Sequence, residues 1–200
     1  MVQAIIAGTK SQTRRTVKPQ PSDCKSTGCC DHWIWRDHHT QLDPLLRLVE
    51  QRSPYGRPGD RLWVRETFLI KNAGRCVVHR ASMDDVEAAG LGALYGGWKP
   101  SIFMPRWASR ITLEVTAVRV ERLQDISDVD AMSEGLSRGW FNDQGETPGR
   151  NLYWAEGVTA KGAGHPTAKD AYRELWDSIN EKKHPWSSNP WVWVIAFDLI

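Results

Sequence analysis

The chain has 200 residues and a formal net charge of +2, with 40% hydrophobic and 25% charged residues. So apolar a composition can offset the entropy of ordering, which excludes disorder throughout and indicates one globular domain over residues 1–200. A run of about 18 apolar residues, the least that spans a bilayer, is missing, and the first residues lack a leader pattern, so no membrane partner and a cytoplasmic location are expected.

The balanced charge is unevenly spread. Residues 1–22 carry Lys10, Arg14, Arg15 and Lys18 and no acid, while residues 123–136 carry Asp125, Asp128, Asp130 and Glu134 and no base. Tryptophan is abundant at 11 residues, and its flat face both fills cores and stacks on nucleic-acid bases. A near-neutral total argues against a pure duplex binder.

In chain order, Val2 to Ala7 reads as a short helix stopped by Gly8, and Lys10 to Lys18 as a basic, polar turn. Residues 19–60 form a long excursion with an apolar, helical run from Leu42 to Val49 and a turn from Pro54 to Asp60. Its Cys24, Cys29, Cys30 and His32 begin a zinc-like spacing, but no second clean pair follows, so reduced thiols, no metal and no cofactor are expected. Arg61 to Ile70 and Val77-Val78 are β-like, and residues 81–100 look irregular with a weak helix.

Ile111 to Val120 alternates Ile111, Leu113, Val115 and Ala117 with polar residues, the mark of a half-buried strand. Ser127-x-x-Asp130 caps a short helix from Ala131 to Glu134 that Gly135 closes. Residues 137–166 have no period and read as a mobile insertion. Thr167-x-x-Asp170 caps a helix whose Tyr172, Leu175, Trp176 and Ile179 share one face. Trp191 to Ile200 alternates as a strand with one core face. The sum is an α+β fold, an antiparallel sheet curled into a barrel with helices at its ends.

Ile5-Ile6-Ala7-Gly8-Thr9-Lys10-Ser11-Gln12-Thr13-Arg14 resembles the signature of the ASCH domain family, apolar-apolar-x-Gly-x-Lys-x-x-Thr-Arg. Further similar pieces follow in order: Tyr55-Gly56-x-x-Gly59-Asp60-x-Leu62-Trp63-Val64-Arg65-Glu66, Met104-Pro105-Arg106-Trp107-Ala108-Ser109-Arg110, Leu123-Gln124-Asp125-Ile126 with Glu134-Gly135, and the terminal Glu174-Leu175-Trp176 and Trp191-Val192-Trp193-Val194. Together they resemble most closely the versions encoded by phages and prophages. The resemblance implies a PUA-like antiparallel β-barrel with flanking helices and long loop insertions at about 19–54, 71–100 and 137–166. The chain departs from the pattern in starting at the helix, where many relatives place a strand first, and in its cysteine cluster.

The resemblance further implies RNA or modified-nucleoside recognition. Some family members are N4-acetylcytidine amidohydrolases, and their functional trio maps onto Lys10, Thr13 and Glu134. The chemistry is coherent: a Thr hydroxyl needs a base, a buried Lys can be one, and three residues apart on a helical turn the two side chains can meet. Glu134, at the end of its helix where a carboxylate opposes the dipole, would shuttle the proton. Arg14 and Arg15 would pair with a phosphate or an oxyanion, Trp63 and Trp107 would hold a flat base, and Glu66 and Arg106 would stand at the edge of the site. Beside these stand plainer readings, a solvated basic turn, a backbone-capping Thr13 and mostly core tryptophans. Expected partners are a nucleoside or weakly bound single-stranded RNA or DNA. A non-catalytic nucleic-acid-binding module, a ribonuclease and a phage-encoded interaction protein are the alternatives.

Overall fold

A computed structural model describes residues 2–23, 33–36, 38–71, 76–82, 97–141, 149–159 and 164–200. Helix α1 (Val2–Ile6) ends as expected at Gly8, whose φ of +71° is one that glycine adopts without strain. The basic segment that follows is not a turn. Gln12–Thr16 forms strand β1, and burial alternates along it, with Gln12 and Arg14 buried and Arg15 exposed. Lys10 and Thr13 therefore do not share a helical turn. A ladder to an apolar strand outweighs the local preference of a polar, charged segment.

The short strands β2 (Ser22–Asp23), β3 (Trp33–Trp35) and β4 (His38–Thr40) precede helix α2 (Leu42–Gln51). The expected strand from Arg61 to Ile70 is two strands, β5 (Arg61–Trp63) and β6 (Phe68–Lys71), and β6 pairs with β7 (Cys76–His79). The break falls at Glu66, which is buried and turned to Arg110 rather than alternating out to solvent. Next come β8 (Thr112–Arg122), helix α3 (Asp128–Ser133), β9 (Ser137–Phe141), β10 (Arg150–Trp154), helix α4 (Ala168–Asn180) and β11 (Trp191–Leu199). Both capping boxes form: Ser127 accepts from the Asp130 N–H, and Thr167 from that of Asp170. The segment expected to be a loose insertion after Leu136 carries an antiparallel hairpin of β9 and β10. Cys24, Cys29, Cys30 and His32, and most of the weak helix expected before residue 100, lie outside the described residues.

Among the described residues the main sheet is four-stranded and antiparallel, in the order β1-β11-β8-β5. It curls but keeps two edges, β1 and β5, so it is a half-barrel of an α+β fold. The register of β8 on β11 slips between Ala196, opposite Ala117, and Phe197, opposite Val115, which leaves Thr116 as a bulge. The bulge ends the alternation expected through Ala117. Leu113 and Val115 before it share a face with Val118 and Val120 after it, and Arg119 and Glu121 are turned to the other side.

β11 is buried on both faces rather than one. Trp191, Trp193 and Ile195 pack with Leu45 and Val49 of α2, while Val192 and Val194 pack with Ala171, Tyr172 and Trp176 of α4. A strand sandwiched between helices reads as a continuous apolar run, as Trp191 to Ile195 does. No helix among the described residues is long and apolar enough to cross a membrane.

Candidate functional site

Lys10 lies between α1 and β1, joined to Glu134 by an isolated antiparallel bridge, and the Ser11 N–H donates to the Ser133 carbonyl at 3.0 Å. Gly135 permits this approach. Its φ is +90°, and a Cβ there would stand 3.0 Å from Lys10 Cβ and 3.1 Å from Ala4 Cβ. Lys10 is 5% and Glu134 6% exposed. Lys10 Nζ donates at 2.8 Å to Glu134 Oε2, to the Glu134 carbonyl and to the Gln12 carbonyl, so its three hydrogens meet three acceptors. Burial holds the Lys10 amine below its usual value, against the opposing pull of Glu134.

Arg14 is 2% exposed and carries the network onward. Its Nη1 donates to Glu134 Oε1 at 3.2 Å, its Nε and Nη2 reach Glu121 Oε1 at 3.1 and 2.6 Å, and Nη2 lies 3.6 Å from Asp130 Oδ2. Arg119 joins Glu121 at 3.1 Å to Asp130 at 3.2 Å. The basic segment near the N-terminus and the acidic segment around α3 thus meet. The β8 bulge is what aims Glu121 at Arg14, because without it Glu121 would share the face of Val115. Burial raises the Asp130 carboxyl, but Arg119, the Ser127 hydroxyl and Arg14 outweigh it and hold the group below its ordinary range.

A cavity of about 460 Å³ opens along the free edge of β1. Lys10, Thr13, Arg14 and Glu134 all line it, so these four expected site residues come together in one cleft. One wall is the α4 face of Tyr172, Leu175, Trp176 and Ile179; another holds Trp35, Tyr55 and Trp193. Ile179, read from the sequence as sharing one helical face with Tyr172 and Trp176, is 61% exposed and lines the cleft, while those two are buried against β11. Burial keeps the Tyr172 phenol neutral, well above its ordinary range, and the Arg14 guanidinium sits 5.8 Å from its ring centroid. Arg15, Lys18, Arg36 and Arg52 also line the cleft.

Thr13 and Arg15, opposite Ile195 and Trp193, share one face of β1, and Arg14, opposite Val194, lies on the other. The cleft wraps the edge strand and so reaches both. Lys10, Thr13, Arg15 and Tyr55 also line an adjoining cavity whose far wall includes Trp63. Arg65 and Arg106 stack on Trp63, at 4.7 and 5.8 Å from its ring. Glu66 is turned elsewhere, its carboxylate taking two bonds from Arg110 at 2.9 and 3.0 Å. Trp107 is 61% exposed on the surface. Sequence reasoning missed Glu121, Arg119, Tyr55, Arg36 and Arg52. Only the pair Arg119-x-Glu121, charges of opposite sign set into an apolar strand, offered a signal.

No family model, no curated protein and no solved structure matches the chain.

Proposed function

We propose that the chain is an ASCH-type protein with a PUA-like fold that recognises a modified nucleoside or RNA, and that Lys10, Thr13 and Glu134 hydrolyse an amide of the N4-acetylcytidine kind. The observation that carries this reading is the direct contact of Lys10 Nζ with the Glu134 carboxylate inside a cleft that Thr13 also lines. In this reading the Lys10 proton passes to the carboxylate it already touches, and burial, which disfavours the ammonium, helps to free the amine lone pair. That amine takes the Thr13 hydroxyl proton as the oxygen attacks the acetyl carbonyl. Collapse of the tetrahedral intermediate breaks the C–N bond, and the departing amine takes the proton held by Glu134. Water then cleaves the acetyl–Thr13 ester, releases acetate and restores the site. Of the aromatic residues that line the cleft, Tyr55 is part-exposed and offers its ring to a base, while Trp35, Tyr172, Trp176 and Trp193 are buried behind the surface.

One observation favours a second reading, a binding module without chemistry. With three acceptors on its three hydrogens, Lys10 is well held as an ammonium, which cannot accept a proton. Incubation with N4-acetylcytidine and with RNA, followed by mass-spectrometric product analysis, separates the readings. Cytidine and acetate support the hydrolase, binding without product supports the module, and shortened RNA supports a ribonuclease.

A further inference from the structure

We propose that the β1 cleft is built for a phosphorylated ligand, a nucleotide or a strand bearing an accessible phosphate, whose phosphate is held by Arg15, Lys18, Arg36 and Arg52. The proposal rests on the reading of the cleft as a nucleoside site and adds the charge of the substrate.

The charges of the cleft fall into two groups. Lys10 and Arg14 are answered within the protein by Glu134, Glu121 and Asp130. Arg15, Lys18, Arg36 and Arg52 are exposed, and among the described residues none of them has a carboxylate within salt-bridge reach. Four like charges around one opening repel each other, and a bound anion relieves that repulsion. A neutral nucleoside relieves none of it.

The donors suit phosphate. The Arg36 guanidinium lies 4.6 Å from the Trp35 ring centroid, a stacked placement that leaves its N–H edge free to bond oxygen. The φ of 55° at Arg36 is the left-handed value that the tight turn between the paired Trp35 and His38 requires. Arg15 donates to the Arg14 carbonyl at 3.0 Å, and its other donors remain for a ligand. The edge of β1 adds main-chain donors. Val17 N–H bonds Trp191 and Ser11 C=O accepts from Phe197, so the odd residues face β11. Antiparallel alternation then turns the N–H groups of Arg14 and Thr16 to the open side, where the cleft lies.

Opposite the cations stands the apolar α4 wall of Tyr172, Leu175, Trp176 and Ile179. Tyr172 and Trp176 are buried, so the apolar surface left for a base beside the cations is that of Leu175, Ile179 and the part-exposed Tyr55, a combination that suits a nucleotide. Arg36 and Arg52 come from the long excursion between β1 and β5, which gives that excursion a role in charge recognition.

Calorimetric titration tests this, with cytidine, cytidine 5′-monophosphate, inorganic phosphate, and a short single-stranded RNA with and without a 5′-phosphate, at low and high salt. The expected result is that the monophosphate binds at least about tenfold tighter than cytidine, the worth of a charge-assisted hydrogen bond. That advantage shrinks with salt and disappears in an Arg15→Gln, Arg52→Gln double variant whose melting curve matches wild type. Equal affinity for cytidine and its monophosphate overturns the proposal and leaves the nucleoside reading standing. Inorganic phosphate bound as tightly as the monophosphate supports the phosphate site and overturns the nucleoside reading. Binding of none of these overturns both. A 5′-phosphorylated RNA that outcompetes the mononucleotide supports the proposal with a strand as the phosphate source, and equal binding supports it with the mononucleotide.

Discussion

Glu134 is fastened to Lys10 three times, by a main-chain bridge and by a carboxylate and a carbonyl that each accept from Lys10 Nζ at 2.8 Å. The end of α3 and the start of β1 are thereby fixed to each other, and the same contact forms part of the cleft lining. Structure and chemistry share these atoms, so substitutions here act on both.

Sequence reading placed Lys10 in a polar turn, where substitution costs little if the side chain is exposed. The buried ion pair overturns that expectation. Lys10→Met strips three acceptors of their donor and is expected to cost about 3–5 kcal/mol, as breaking a buried pair does. Thr13→Ala, at a half-buried position, is expected to cost about 1 kcal/mol. Urea denaturation of the two variants beside wild type gives the comparison, and a wild-type midpoint in Lys10→Met would mean that the Lys10 bonds contribute nothing net.

Gly135→Ala adds a Cβ against Lys10 and Ala4 at a positive φ. The expected loss is about 1–3 kcal/mol from backbone strain, with a further loss of ligand affinity as Lys10 is pushed aside. Unfolding and titration on the same preparation would show both, and an alanine variant as stable as wild type would mean that the loop relaxes freely.

Stability should depend on pH at both ends of the scale. Lys10 is held below its ordinary 10.5, so between its folded value and 10.5 the unfolded chain binds more protons and stability rises with pH. Asp130 is held below its ordinary 3.8, so its contribution is complete above 3.8 and is lost as pH falls through the folded value. Denaturation midpoints across both ranges should show the alkaline slope flattened in Lys10→Met and the acid slope flattened in Asp130→Asn. Slopes unchanged by either variant would assign the pH dependence to other groups.

If the cleft hydrolyses an N4-acetyl amide, Thr13→Ala abolishes turnover while the fold persists, since nucleophile and base act as a unit. Glu134→Gln keeps its shape but cannot take the Lys10 proton, and turnover should fall with ligand affinity less affected. Progress curves beside binding isotherms for the two variants decide this. Full activity in Thr13→Ala removes Thr13 as the nucleophile and assigns the hydrolysis to another group.

Local signals were legible wherever a side chain's neighbours in sequence are also its neighbours in space. Ser127 and Thr167 reach N–H groups three residues on, and Gly8 and Gly135 take φ values that few other residues adopt, so both capped helices and both stops could be read directly. The terminal strand was readable from its apolar run, and the α+β class from the mixture of elements. Lys10, Thr13, Arg14 and Glu134 were singled out by a resemblance, and they do line one cleft.

The amino-acid order thus determined the helix caps and stops, the apolar strands and the segregation of basic and acidic segments, because those features depend on contacts a few residues apart. Tertiary structure alone decided that Lys10 to Lys18 holds an edge strand rather than a turn, that β11 is covered on both faces, and that a bulge at Thr116 swings Glu121 onto Arg14. It also decided which cations are neutralised and which, among the described residues, have no carboxylate in reach around the cleft. The reason is separation along the chain: Arg14 meets Glu121 and Glu134 across more than a hundred residues, and a single extra residue in a strand reverses which face a charge occupies.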